Sequence, residues 1–293
     1  MPDAATVMNQ TQGIYRRRVG GILVTALLDG QIELSLDYVT GIGRDEVGTL
    51  HAAGFRPDPP PITITAFLLQ GAGRTILIDT GGGTACGPFA GNLTAALAIA
   101  GVAPAQVDTV LLTHAHIDHV SGLIDAAGQA VFPQARVKLH KDEAGLWLND
   151  EAMEAAPDAA KGAFAAARAG LDPYTARTDL FAGGEVAPGV TAMPAPGHTP
   201  GHTAYMIADG DDRLLIWGDI VHFPAIQFDK PEAALVFDSD EDQARATRAK
   251  ILALAAAEKF AVAGMHLDFP TFGHVTKSGA AYRFLPEPWL PLL

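Results

Sequence analysis

The 293-residue sequence predicts an α/β fold in which two mixed β-sheets stack face to face with helices on both outer sides, an αββα sandwich. Three observations predict it. Short apolar strand-like runs alternate with helix-like segments twice along the chain, and each half ends in residues suited to hold a metal. Hydrophobic residues make up 48% of the chain, enough for a sizeable core. No repeat of about 20–50 residues, low-complexity tract or linker interrupts the pattern. Residues 1–293 therefore read as a single domain with its site at one edge of the sandwich.

Residues 1–18 read as an N-terminal arm, polar over its first thirteen positions, and residues 19–28 as a first strand ended by Asp29-Gly30. Residues 41–61 are rich in Gly and Pro, close with Pro57-Asp58-Pro59-Pro60-Pro61, and read as a loop covering the site. Residues 62–69 and 75–79 read as a strand pair across Gly71-Ala72-Gly73. Gly81-Gly82-Gly83 lacks the spacing of a dinucleotide-binding turn and reads as backbone passing close to the metals. A helix over 92–101 ends on Gly101, and residues 107–113 lead into a histidine cluster. Then come a strand at 135–140 and an Ala-rich helical stretch at 142–170, broken near Pro157. Strands at 186–194, 204–208 and 213–218, a long amphipathic helix at 240–260 and a last strand at 260–264 complete the second half.

Charge and cysteine count exclude several classes. A net charge of −13 argues against nucleic acid, which is gripped mainly through Lys and Arg. A small neutral substrate fits better. The single cysteine, Cys86, rules out an intramolecular disulfide and a cysteine-rich zinc cluster. Arg16-Arg17-Arg18 and the apolar run after it resemble a signal peptide, but the run starts late and is short. Asp29-Gly30-Gln31 stands where small cleavage-site residues belong. The expectation is a cytoplasmic protein with an intact N-terminus and no membrane span.

The chemistry concentrates in Thr113-His114-Ala115-His116-Ile117-Asp118-His119. At a strand end, positions i and i+2 point the same way, so His114 and His116 can bite one cation. Asp118 and His119 lie where the chain turns and can reach a second. Imidazole with carboxylate suits zinc, and the same donors accept Mn, Fe or Co.

The His-x-His-x-Asp-His pattern resembles the metallo-β-lactamase superfamily. Pro196-Gly197-His198-Thr199-Pro200-Gly201-His202, Trp217-Gly218-Asp219 and Met265-His266 follow apolar segments in the order of that family's remaining ligands. Asp79, ending a strand, matches an aspartate that supports the metals there. The nearest likeness is to the branch of methyl parathion hydrolases and quorum-quenching lactonases, carried also by Gly273-His274 and Tyr282-Arg283-Phe284. The resemblance implies two divalent ions, zinc foremost. His114, His116 and His198 would hold the first, Asp118, His119 and His266 the second, with Asp219 bridging. A hydroxide shared between ions about 3.5–4 Å apart would attack the substrate, so no Ser or Cys nucleophile is required. The β-lactam-cleaving enzymes typically place cysteine where Asp219 stands, which points to another substrate class. The resemblance also implies a homodimer and a pocket wall formed by residues 142–170.

Asp118, Asp219 and His222 are the candidate catalytic residues. His222 replaces a tyrosine that assists ring opening in the autoinducer lactonases, and a pKa near neutrality would suit it to proton donation. Trp147 matches a pocket aromatic of the methyl parathion hydrolases. Cys86, Phe89 and His274 are further pocket candidates, although Cys86-Gly87-Pro88 departs from the Phe-Gly-Pro of that family. His202 reads as supporting His198, and His51 and His140 as surface or core residues. The expected activity is hydrolysis of lactones or carboxylic esters, with phosphotriesters as a side activity. The alternative makes phosphotriesters the main substrate. A nuclease is disfavoured by the acidic charge, a flavin di-iron protein by the intact histidines, and a metal-free binding protein by the filling of all seven ligand positions.

Overall fold

A computed structural model describes residues 10, 11 and 13–293. In chain order the first half holds β1 (Ile14–Val19), β2 (Ile22–Glu33), β3 (Val39–Thr40), α1 (Arg44–Ala53), β4 (Pro61–Gly71) and β5 (Arg74–Ile78). It continues with α2 (Leu93–Ala100), β6 (Thr109–Leu111), α3 (Ile117–Val120), β7 (Arg136–His140), α4 (Lys141–Trp147), α5 (Asp150–Ala155), α6 (Asp158–Leu171) and β8 (Thr178–Phe181). The second half holds β9 (Gly184–Ala187), β10 (Val190–Pro194), β11 (Thr203–Asp209), β12 (Asp212–Ile216), α7 (Pro224–Gln227) and β13 (Ala234–Leu235). It ends with α8 (Glu241–Glu258), β14 (Ala261–Ala263), β15 (Gly273–Ser278) and β16 (Ala281–Pro286).

The strands form two seven-stranded sheets, β1-β2-β4-β5-β6-β7-β8 and β16-β15-β14-β12-β11-β10-β9, and β3 pairs separately with β13. Each large sheet is mixed: β5 to β8 run parallel, as do β12 and β14, while the remaining pairs are antiparallel. Period-2 alternation decides which face each side chain takes. Phe67 and Leu69 of β4 and Ile76 and Ile78 of β5 point between the sheets, against Tyr205, Ile207, Leu214 and Ile216. Leu68 and Leu77 point outward onto Leu93, Ala96 and Leu97 of α2. On the far side, Leu215 and Val262 meet Ile251, Leu252 and Ala255 of α8. These are the four layers the sequence predicts. No helix among the described residues is long and apolar enough to cross a membrane.

Several boundaries differ from the sequence expectation. The arm at 1–18 falls partly on residues outside those described (1–9 and 12), but its end is β1, paired in register with β2. Its arginines mask the strand signal. Charged side chains suit an edge strand, and Tyr15 packs on Phe272 while Arg17 pairs with Glu287. The region 41–61 is not a plain loop, because it contains α1. There Val47 and His51, four residues apart, bury one face, and Asp45 and Glu46 favour the helix N-terminus. The strand expected at 186–194 is a hairpin, β9 and β10, turning at Pro188-Gly189 where Gly189 has φ +74°. Strands β8, β15 and β16 and helix α7 were not foreseen either.

The site sits where four strands end together. Asp79 follows β5, the histidine cluster follows β6, Asp219 follows β12 and His266 follows β14. In sheets with parallel neighbours the carboxyl ends of the strands open onto one crevice. The turn between β10 and β11 adds His198 and His202 from the side.

Candidate metal centre

Seven side chains converge beyond these strand ends. His114 Nε2 lies 3.0 Å from His116 Nδ1, which lies 2.9 Å from His198 Nε2. With Asp219 they form one group whose ligating atoms all lie within 4.8 Å of one another. Asp118, His119 and His266 form a second. Asp118 Oδ2 is 3.5 Å from both His119 Nε2 and His266 Nε2. Asp219 faces both groups: its Oδ2 lies 3.1 Å from His266, 3.3 Å from His198 and 3.5 Å from His114, and its Oδ1 3.3 Å from His119.

These contacts fit cations better than hydrogen bonds. One nitrogen of His116 cannot satisfy two facing ring nitrogens. His119 Nε2 and Asp219 Oδ1 are buried without a hydrogen-bond partner, which is costly unless something else meets them. The donors are imidazole and carboxylate, with no thiolate in either group, as borderline divalent ions prefer.

The inward-facing nitrogens are aimed by partners on the opposite side of each ring. His119 Nδ1 meets Asp79 at 2.7 Å, His198 Nδ1 meets Asp238 at 2.7 Å, and His266 Nδ1 meets the Thr63 carbonyl at 2.7 Å. His114 Nδ1 lies 3.1 Å from the Thr113 hydroxyl. Such partners fix ring orientation and raise ligand basicity. Asp79 holds a left-handed backbone (φ +57°), a region that aspartate tolerates. It also accepts the Thr113 N–H and hydroxyl, joining β5 to the cluster.

Without cations, protons share the charge. Burial, aided by facing rings, holds His114 well below its usual range and His116 down at about 3. Burial also opposes a charge on His198, but Asp219 and Asp238 outweigh it and lift the ring to about 9. His119 and His266 rise for the same reason, with Asp219 the leading partner of each. Burial disfavours ionised Asp118 and Asp219 too, yet the surrounding rings bring both below the usual carboxylate range.

The other expected site residues scatter. His222 joins the cluster: its Nε2 is 3.0 Å from Asp219 Oδ2, its ring stacks on His266, and it could share a cation with those two. Burial takes its pKa down to about 4, below the near-neutral value expected from the sequence. His202 accepts the backbone N–H of Asp219 through Nε2 and meets the Ala195 carbonyl through Nδ1. Its closeness explains Gly218: a Cβ there, at φ +63°, would sit 2.4 Å from His202 Nε2. Trp147 is buried behind His116, rings 5.4 Å apart and edge to face, rather than spread across an open pocket wall. Cys86 is half-buried near Asp118, and its thiol is pushed up to about 12 by burial and by the charges of Asp118 and Asp29. Phe89 is exposed, its carbonyl accepting the Gln31 N–H. His274 does not join the donors. It lies on β15 in a surface groove with Tyr15 and Leu285, 3.5 Å from Glu287.

Sequence reasoning missed Glu143 and Asp238. Both precede or open helices, where an acidic residue reads as a surface partner of the helix dipole. Asp29, foreseen only as a turn residue, accepts N–H groups from Gly82, Gly91 and Leu93 and so folds the glycine-rich loop back beside the site.

Residues 59–266 match the model of the metallo-beta-lactamase superfamily. The crystal structure of hydrolase AbOPH, in the beta lactamase superfamily, superposes with a TM-score of 0.91 at 32% identity over 96% of this chain and 100% of that one. AidC, a dizinc quorum-quenching lactonase in complex with a product, superposes at 0.89 with 26% identity over 95% of this chain and 99% of its own. YobT of Bacillus subtilis (strain 168) is 34% identical over 114 residues, 38% of this chain and 44% of YobT, so the match spans less than half of that relative's length. The chain therefore belongs to the metallo-beta-lactamase superfamily and sits among its metal-dependent hydrolases.

Proposed function

We propose that this protein hydrolyses lactones or carboxylic esters at a two-metal centre. The observation that carries this reading is Asp219, one buried carboxylate facing both donor sets. His114, His116 and His198 would hold the first ion and Asp118, His119 and His266 the second, with Asp219 shared between them. Zinc is the ion we expect, in keeping with the dizinc centre of AidC. Two such ions supply a water activated near neutral pH and polarise the bond under attack.

The chain's own residues orient this chemistry. Asp79, Asp238 and the Thr63 carbonyl hold His119, His198 and His266 in one ring orientation each. Phe237 packs edge-on against His198 and His222, and Tyr38 against Phe237, giving an apolar flank suited to a neutral substrate. The neutral His222 ring would offer a hydrogen bond to the substrate rather than a full proton transfer. A cytoplasmic homodimer is part of the same proposal. Exposed Leu290, Leu292 and Leu293 line one surface groove, which would support self-association, and sedimentation would test it.

The deciding experiment is a hydrolysis panel of homoserine lactones, δ-lactones, aryl esters and methyl paraoxon on zinc-loaded protein, with ions per chain measured in parallel. Highest kcat/KM on a lactone or ester is expected. Preference for the phosphotriester would reverse the substrate order, and one ion or none would end the two-metal reading.

A further inference from the structure

We propose that Glu143 is the positioning residue for the first metal site: its carboxylate ties the segment carrying His114 and His116 to the segment carrying His198. Glu143 lies in α4 and is fully buried. Its Oε1 accepts the backbone N–H of Ala115, between the two histidines, at 3.0 Å, and the indole N–H of Trp147 at 2.5 Å. Its Oε2 accepts the hydroxyl of Thr199, next to His198, at 2.7 Å and the N–H of Gly201 at 3.0 Å.

All four partners are uncharged donors, and an ionised carboxylate offers about four acceptor positions. The match is one for one. Burial pushes the Glu143 carboxyl above its usual range, and the four donors, which favour the ionised form, offset only part of that. Gly201 makes the approach feasible, since a Cβ there would lie 2.3 Å from the Glu143 backbone nitrogen. Trp147, held by the same carboxylate, backs the ring of His116.

The second donor set rests on other supports: His119 on Asp79 and His266 on the Thr63 carbonyl. Loss of Glu143 should therefore loosen one ion and spare the other. This inference rests on the two-ion reading but not on the substrate, so its test reads metal binding and not hydrolysis.

Metal-free wild type, Glu143→Gln and Thr199→Val are titrated with Zn²⁺ against a chelating indicator. Gln keeps the shape but turns an amide NH₂ toward donors; Val deletes one of the four bonds. Groups bonded directly to a metal ligand are worth about 10–100-fold in affinity; Glu143 acts one bond further out, through the ligand-bearing backbone, so one of the two zinc steps should weaken about 10-fold in Glu143→Gln. The other step should hold, and Thr199→Val should show a smaller loss in the same step. Repeating Glu143→Gln in His266→Ala, which keeps the first set, should preserve the loss. Repeating it in His198→Ala, which breaks that set, should abolish it. Equal weakening of both steps, or of neither, overturns the proposal. If Glu143→Gln does not fold, Thr199→Val decides, and an absence of selective loss there refutes it. Fewer than two zinc steps in wild type would overturn the two-ion reading beneath it.

Discussion

Asp219 and His202 touch through one hydrogen bond, yet replacing them should give opposite results. Asp219 faces both donor sets with its carboxylate, whereas His202 accepts the Asp219 backbone N–H at 2.9 Å and meets the Ala195 carbonyl at 2.9 Å. Asp219→Asn keeps the volume and removes the negative charge and one of the two oxygens proposed to be shared between the ions. Losing only an outer partner of a ligand costs about 10–100-fold in affinity, so that range is a floor for each ion. His202→Ala leaves every proposed ligand in place but strands two buried backbone groups. At about 1–3 kcal/mol each, the cost is about 2–6 kcal/mol, a large part of a typical stability of about 5–15 kcal/mol. The melting temperature of metal-free protein should fall on the order of 10 °C. The assay pairs elemental analysis after dialysis with melting of metal-free samples. Asp219→Asn should lose metal with the smaller change in melting, and His202→Ala should melt early while retaining two ions. Equal metal loss from both variants, or two ions retained by Asp219→Asn, would refute this assignment.

His222→Phe should lower lactone turnover roughly 10–100-fold, the worth of one hydrogen bond to a charged group, and affect nitrophenyl phosphotriesters much less, because nitrophenoxide leaves without help. Parallel losses at unchanged metal content would show that the ring only packs beneath the site. Metal uptake at pH 7 should release protons, because His198, lifted to about 9, and the raised His119 and His266 carry protons that a cation must displace. Zinc affinity should accordingly rise as the pH is raised from 6 to 9, roughly the span between an ordinary imidazole and the lifted ring; a dye in weak buffer that records no release would contradict this. Cys86, with its thiol at about 12, holds little thiolate at pH 8. Iodoacetamide should modify it about 10³-fold more slowly than a free cysteine, and urea should abolish the difference; labelling at the free rate in folded protein would count against the buried, acid-flanked setting.

The sequence by itself determined the family, the four-layer fold and the candidate donors, and the reason is locality. His114, His116, Asp118 and His119 sit within six residues at a strand end, where period-2 geometry alone aims the first two together. Core strands such as β4 declare themselves because both faces are covered and the run Ala66-Phe67-Leu68-Leu69 is continuously apolar. Only the tertiary structure decided what holds the donors. Glu143 and Asp238 read as helix-dipole residues until α4 packs Glu143 beneath two ligand segments whose histidines, His116 and His198, are 82 residues apart, and until Asp238 meets His198. The same long-range packing turned Trp147 inward behind His116, left His274 on an outer groove, and brought His222 down to about 4 by burying it among three other rings. A side chain's type fixes which bonds it can make. Which distant backbone arrives to make them, and how much water is excluded when it does, is set by the packing of the two sheets and their helices.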